Sequence, residues 1–364
     1  MTTTGSTRKT GTGATATDAL APDTLVPGPL ALARHRLGVP QRAGALTMVP
    51  ITGPAYEGIV PPRSGLKLSQ VAGYGRVELR NGATDGVAIV PLHIGYIQDA
   101  AQNHALCRSA FLAPGAALMF EDACCVQESQ GGYLTGRDQW FFVLPAELRA
   151  RALELRGVEG YSKLWDDIGR LNRRYGLPQR GHLEQVLSRR RAVLTQYRSR
   201  LELQPGQLGA LFFVGDRFAG LELAPDPVYF AELWMALVCF AYGPAAWHAE
   251  RTAQPPTAAT TGGPASNPAS GPSQGQAAGE GVPAGFDAGD LAGLRAALER
   301  DRAARIDEVA GWIAAIPAAG ARLQEEERYL GLRLSTVTGG EVAGQIVTDG
   351  DRPVYASLFA RTIA

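Results

Sequence analysis

The feature that most constrains the fold is a pattern that occurs twice. Gly209-x5-Gly215-Asp216-Arg217 and Gly344-x5-Gly350-Asp351-Arg352 share one spacing, and each runs on into an apolar arm containing Leu221 or Leu358. Glycine and aspartate between two apolar arms read as a tight hairpin turn, where both residues are expected to supply the positive φ that such turns demand. Two copies of one hairpin predict arms that face a common sheet. An isolated hairpin is marginal in water, so the C-terminal copy is expected to pack on the earlier block rather than stand alone.

The segments around the repeat fill in an α+β chain. Strand-like runs come early ("ALTMVPITG", "RVELRNG", "GVAIVPLHIGYI", "ALCRSAFLAPG", "ALMFEDACCVQ"), punctuated by Gly, Pro and Asn. Helices are then predicted over Pro145 to Leu155, Ser162 to Tyr175, Gly181 to Leu203 and Pro227 to Tyr242. A last amphipathic helix opens on Asp290 as N-cap, carries Val309, Trp312 and Ile316, and stops at Pro317. The fold class is therefore α+β: antiparallel β sheets built from both ends of the chain, a helical layer, and a low-complexity insertion near the C-terminal third. Residues 1–25 read as a disordered tail, 26–248 as the main α+β domain, 249–286 as a flexible low-complexity linker, and 287–364 as a C-terminal helix and β hairpin packing on the main domain.

Composition removes some function classes. Acids and bases balance at 35 each, so global charge recommends neither nucleic acid nor membrane. Only Lys9, Lys67 and Lys163 are lysines, a skew toward arginine that reads as bacterial-type base composition rather than function. Four cysteines and an N-terminus without an apolar core predict neither secretion nor a disulfide framework, and so a cytoplasmic location. The strongly apolar run Leu233 to Ala241 is shorter than a bilayer span, so no membrane partner is expected and the protein reads as soluble.

Most of the unusual chemistry sits between Gln98 and Glu128. His93, His104, Cys107, Cys124 and Cys125 offer nitrogen and sulfur ligands, but the spacing is not a zinc spacing, and adjacent cysteines on a strand face opposite ways, so no metal site is assigned. A second candidate is the run Arg170 to Arg200, with nine arginines against the single acid Glu184, which could bind phosphates or form a solvated helix face. On a helical wheel Arg190 falls inside the apolar stripe of Leu187, Leu194 and Tyr197, so it must either snorkel or find a carboxylate or a ligand anion. Two acidic pairs, Glu121-Asp122 and Asp166-Asp167, lack partner spacing for a catalytic or magnesium site.

The order of motifs carries a resemblance. Gln102-Asn103, then Ala113-Pro114-Gly115, then Cys125-Val126, a "LW-D" element, "GQLGALFFVGDRFAGLEL" and the terminal "EVAGQIVTDGDRPVYASLF" make the chain similar to the ARG and rhodanese-phosphatase-superfamily-associated protein domain family. That family is named for its genomic company, ADP-ribosylglycohydrolase-type and rhodanese or phosphatase-type proteins, rather than for an activity of its own. Against the family pattern, a Lys is replaced by Ala101, an Arg by His104 and a Glu by Gln127, with Glu128 one step late and Gly132-Tyr133 in place of Gly-Arg-Trp. These changes remove groups that would bind an anion and move a proton.

The reading that follows is an accessory protein that binds a nucleotide-like or ADP-ribose-like ligand, or a protein partner that processes one. The expected ligand-binding residues are Gln102, Asn103, Cys125 and Arg190. A hydrolase acting on a phosphorylated or ribosylated substrate is the alternative, with His104 as base and Glu128 or Glu121 as acid. Nucleic-acid binding through the Arg-rich helix is the second alternative, and no cofactor is named by the sequence.

Overall fold

The computed structural model describes residues 32, 34–97, 102–128, 140–253, 291–316 and 320–363. The expected tail, nearly all of the linker, Asp290, Pro317, Ala101 and Gly132-Tyr133 lie outside them.

A nine-stranded antiparallel sheet organises the molecule, and the repeat is its centre. Arg36–Leu37, Leu46–Thr52, Gln207–Val214, Arg217–Leu223, Arg352–Ala360, Val342–Asp349, Leu332–Thr338 and Arg322–Tyr329 follow one another across it, and Gln41–Ala43 also pairs with Leu46–Thr52. The two repeated hairpins are joined through their second arms, so Leu221 stands directly opposite Leu358 and Glu222 opposite Ser357. Gly215 (φ 63°) and Gly350 (φ 55°) make the turns, whereas the aspartates after them keep negative φ. The first glycine of each repeat has another cause. A Cβ at Gly209 would meet the Glu222 carbonyl oxygen at 2.5 Å, and one at Gly344 would meet that of Ser357 at 2.0 Å. Each glycine lets the second arm of its own hairpin approach closely, at the residue that faces the other hairpin.

Side chains alternate across these strands, so the sheet feeds two cores. Leu211, Phe213, Leu221, Ile346 and Leu358 face one way, where Val309 and Ile313 of the helix Leu291–Ala314, with Ile316 just past its end, cover them. Phe212, Val347 and Tyr355 face the other way. There the continuous helix Pro227–Ala253 lies against the sheet, with Tyr242 stacked on Phe212 at 4.2 Å. This helix runs past the expected end at Tyr242 and has a π-helical stretch, Ala236–Tyr242. It is long and apolar enough to cross a membrane, but 78% of its most apolar window is buried inside the protein, the setting of a core helix.

At the junction of the hairpins lies a buried ionic network. Arg149, on the helix Ala146–Glu154, is 0% exposed. Its guanidinium donates to Glu222 Oε1 (2.5 Å), the Tyr242 hydroxyl (3.1 Å), His93 Nδ1 (3.4 Å) and the Ser357 hydroxyl. Tyr242 also donates to Glu222 at 2.6 Å, and the guanidinium lies over the Phe359 ring. A buried charge persists only when paired and hydrogen-bonded in this way.

Three small sheets sit beside the large one. Val87–Ile89 pairs with Ile59–Val60 and Phe111–Leu112; Arg76–Asn81 pairs with Leu66–Gly73 and Ala117–Phe120; and Cys124–Cys125, His104–Ala105, Ile94–Ile97 and Trp140–Val143 form the third. The run expected as one strand, "GVAIVPLHIGYI", is cut in two by Pro91 and by His93 at φ 62°. The helix expected over Gly181 to Leu203 is likewise two helices, Glu184–Arg189 and Arg191–Arg200, broken at Arg190.

Candidate functional site

The third small sheet holds the residues singled out in the sequence. His104–Ala105 pairs with both Cys124–Cys125 and Ile94–Ile97, which brings Gln102, Asn103, His104 and Cys125 together. Each neighbour points a different way. Asn103 is buried: its N–H donates to Gln127 Oε1 (3.2 Å), its side-chain amide to Glu184 Oε2 (3.5 Å), and its carbonyl accepts from Val126 N–H (2.9 Å). Gln102 is half-buried and its Oε1 takes a weak bond from the Cys125 thiol at 3.6 Å. One amide is mortar and the other opens outward.

His104 bridges two backbones. Nδ1 lies 2.9 Å from the Gln102 carbonyl and so donates to it, and Nε2 accepts the Gly75 N–H at 3.1 Å. That assignment requires a neutral ring; burial, the larger effect, holds its pKa below the ordinary value against the opposing bond to Gln102. The role of base expected for His104 therefore has no free ring nitrogen to rest on. Cys125 is held by donation to the Gln127 carbonyl (3.3 Å), and burial pushes its thiol pKa up, so it is not poised as a thiolate. Cys124 turns the other way, to Cys107 at 3.3 Å. Among the described residues, no group of three or more His, Cys, Asp or Glu is arranged to hold a metal ion.

Two further candidates lie apart from this group. Glu128 is exposed and clamps the chain at Gly181: its carboxylate accepts the Gly181 N–H at 2.6 Å and its own N–H donates to the Gly181 carbonyl. Arg190 occupies the break between helices, donating to the Tyr175 carbonyl (3.3 Å) with its guanidinium over Trp247. No acid pairs with Arg190 among the described residues; a buried arginine–acid pair is found at Arg149, on a different helix. Elsewhere in the Arg-rich run, Arg170 pairs with Asp167 and Arg191 lies over Trp140.

The sequence reading missed a surface feature beside Gln102. Tyr74 (54% exposed) and Tyr161 (37% exposed) pack with ring centroids 4.7 Å apart and planes inclined by 31°. Gly75, bonded to His104, fits under them: a Cβ there would lie 3.2 Å from the Tyr161 Cβ. Tyr161 also accepts the Cys125 N–H through its carbonyl and meets the Trp165 ring edge-on, while Trp165 Nε1 donates to the Cys125 carbonyl (3.0 Å). Next to Gln102 and His104, Leu68, Val71, Val77, Tyr96 and Leu106 line a shallow apolar crevice. In the sequence the two rings appear only as the tyrosines of "GYG" and "GYS", with no periodic pattern to mark them as a surface pair.

A family model matches residues 34–357, nearly the whole chain and both hairpins. The chain belongs to the ARG and Rhodanese-Phosphatase-superfamily-associated Protein domain family. No curated protein and no solved structure matches it. The family motif residues have separable tasks here. Ala113-Pro114-Gly115 is a turn, closed by donation from Ala116 N–H to the Ala113 carbonyl, with Gly115 at φ 69°. Gln102-Asn103 and Cys125-Val126 lie on facing segments of the third sheet, where the tyrosine pair adjoins them.

Proposed function

We propose that this family member is an accessory protein that binds a nucleotide-like or ADP-ribose-like ligand at the surface formed by Tyr74, Tyr161 and Gln102. The observation that carries the reading is the exposed tyrosine pair. Two aromatic rings presented to solvent rather than packed inward offer a platform on which a base can stack, and such stacking is worth about 1–3 kcal/mol per base. The Gln102 amide supplies both a donor and an acceptor for the edge of a stacked ring. The framework beneath is fixed by His104, Cys125 and Trp165, so little ordering cost falls on binding. The family's description, association with ARG and rhodanese–phosphatase superfamily proteins, is compatible with such a role beside an enzyme. The four free cysteines, all buried, fit a reducing cytoplasm as its location.

Calorimetric titration of the chain with ADP-ribose and with adenosine tests this. Tyr74 is largely exposed, so Tyr74→Ala leaves the core intact, and it is expected to weaken both ligands by about tenfold, the loss of one stacking contact. Equal affinity in the variant, or no binding by the wild type, removes the reading.

A further inference from the structure

Away from the tyrosine surface, three distant parts of the chain converge on a cleft of about 600 Å³. One wall is the turn before Gln41–Ala43, another the end of the helix Arg191–Arg200, and the third the exposed side of Leu291–Ala314. Arg42, Arg200, Arg302 and Arg305 line it against a single carboxylate, Glu202. The lip is held in place, since the Gln41 side chain both donates to the Glu202 carbonyl (2.9 Å) and accepts its N–H (2.6 Å). Pro40 and Pro205 add stiff apolar wall.

The charge distribution is the informative part. The chain as a whole has as many acids as bases. Some surface arginines elsewhere pair with acids, Arg76 with Glu121, Arg156 with Glu326, Arg328 with Glu325 and Arg361 with Glu154. Others, such as Arg63, Arg80 and Arg173, stand singly among the described residues; what sets the cleft apart is that four arginines share one concavity. Among the described residues, Arg42, Arg200 and Arg302 enter no ion pair. Gathering like charges in a concave site costs Coulomb energy that an anion repays, and guanidinium forks match phosphate oxygens two at a time. The volume lies within the range of small-molecule pockets, which run from about 300 to 1,000 Å³.

We infer that this cleft is a binding site for a small polyphosphate, a di- or triphosphate group in the size range of a nucleotide's phosphate tail. The site is independent of the tyrosine platform and needs no base to occupy it.

The probe is inorganic tripolyphosphate, titrated calorimetrically into the full chain at low and at moderate salt. The wild type binds it, more weakly as salt rises. The double variant Arg200→Ala with Arg302→Ala, both exposed positions, loses at least about tenfold in affinity, the scale of one or more charge-assisted contacts. Arg42→Ala weakens binding in the same direction, while Arg173→Ala, an exposed arginine outside the cleft, leaves it unchanged. Thermal melts establish that each variant is folded. Absence of binding by the wild type, or the same loss from Arg173→Ala as from the cleft variants, overturns the inference. So does cleft-dependent binding of a short single-stranded oligonucleotide without binding of tripolyphosphate. Because tripolyphosphate has neither base nor ribose, and Tyr74→Ala is read with adenosine, either result can fail while the other stands.

Discussion

At the residue scale, the amide pair separates into two roles. Side chains alternate along extended backbone, so neighbours face opposite ways. That rule was applied in the sequence to Cys124 and Cys125 and holds for them, since one turns to Cys107 and the other to Gln102. It applies equally to Gln102 and Asn103. Asn103→Leu is expected to destabilise the chain by about 1–3 kcal/mol, since it strips a donor from the buried Glu184 carboxylate, whereas Gln102→Met keeps the melting temperature and weakens ADP-ribose. Thermal melts with titration of both variants check this, and a stable Asn103→Leu contradicts it. His93 gives a pH signature. Burial, and then Arg149, hold its pKa well below the ordinary 6.5. The unfolded chain therefore takes up a proton there that the folded chain refuses, and stability that is full above pH 6.5 is lost as pH falls below it. His93→Asn, which tolerates the positive φ, should flatten that decline relative to wild type; denaturant melts across the acid range that stay parallel would exclude it. Tyr74 and Tyr161 were not legible as a site, because residues in glycine-flanked turns have no periodicity and nothing in the sequence places one turn over another.

At the element scale, the repeated hairpin was legible as a turn between two apolar arms in a common sheet, whereas the pairing of the two second arms and the irregularities at Phe212–Phe213 and Val347–Thr348 were not. What the spacing does not contain is the reason for the first glycine, the close backbone contact at Glu222 and Ser357, the same two residues that grip Arg149. The network makes a prediction. Arg149→Met leaves Glu222 buried without its cation and is expected to cost about 3–5 kcal/mol, with Arg149→Met plus Glu222→Gln recovering part of it. Urea unfolding of the two variants decides, and equal loss in both would mean that packing rather than charge dominates. The strand Arg322–Tyr329 was hidden for the opposite reason. It is a charged, mostly exposed edge strand, the composition that keeps an open sheet edge from pairing with other chains, and so it lacks an apolar signal. The interruption at Arg190 also escaped the pattern, because Leu187 and Leu194 keep helical spacing across a break in the backbone.

At the scale of the whole molecule, the two ends of the sequence are one sheet. Ending the chain at Ala253 removes Arg322–Tyr329, Leu332–Thr338, Val342–Asp349 and Arg352–Ala360, and exposes the apolar arm Arg217–Leu223 as an edge. Such a fragment is expected to lose its cooperative thermal transition, and a sharp unfolding step near that of the full chain would refute the shared-sheet account. Neutral overall charge conceals local asymmetry, since four arginines and one carboxylate line a single cleft. The central claim remains the ligand surface beside Gln102, and the most direct measurement is fluorine NMR of the chain with fluorotyrosine incorporated, resonances assigned by single substitution, during titration with ADP-ribose. The account predicts saturable shifts at Tyr74 and Tyr161, with the buried Tyr229 and Tyr242 unmoved. Saturation with no change at the two exposed rings would contradict it.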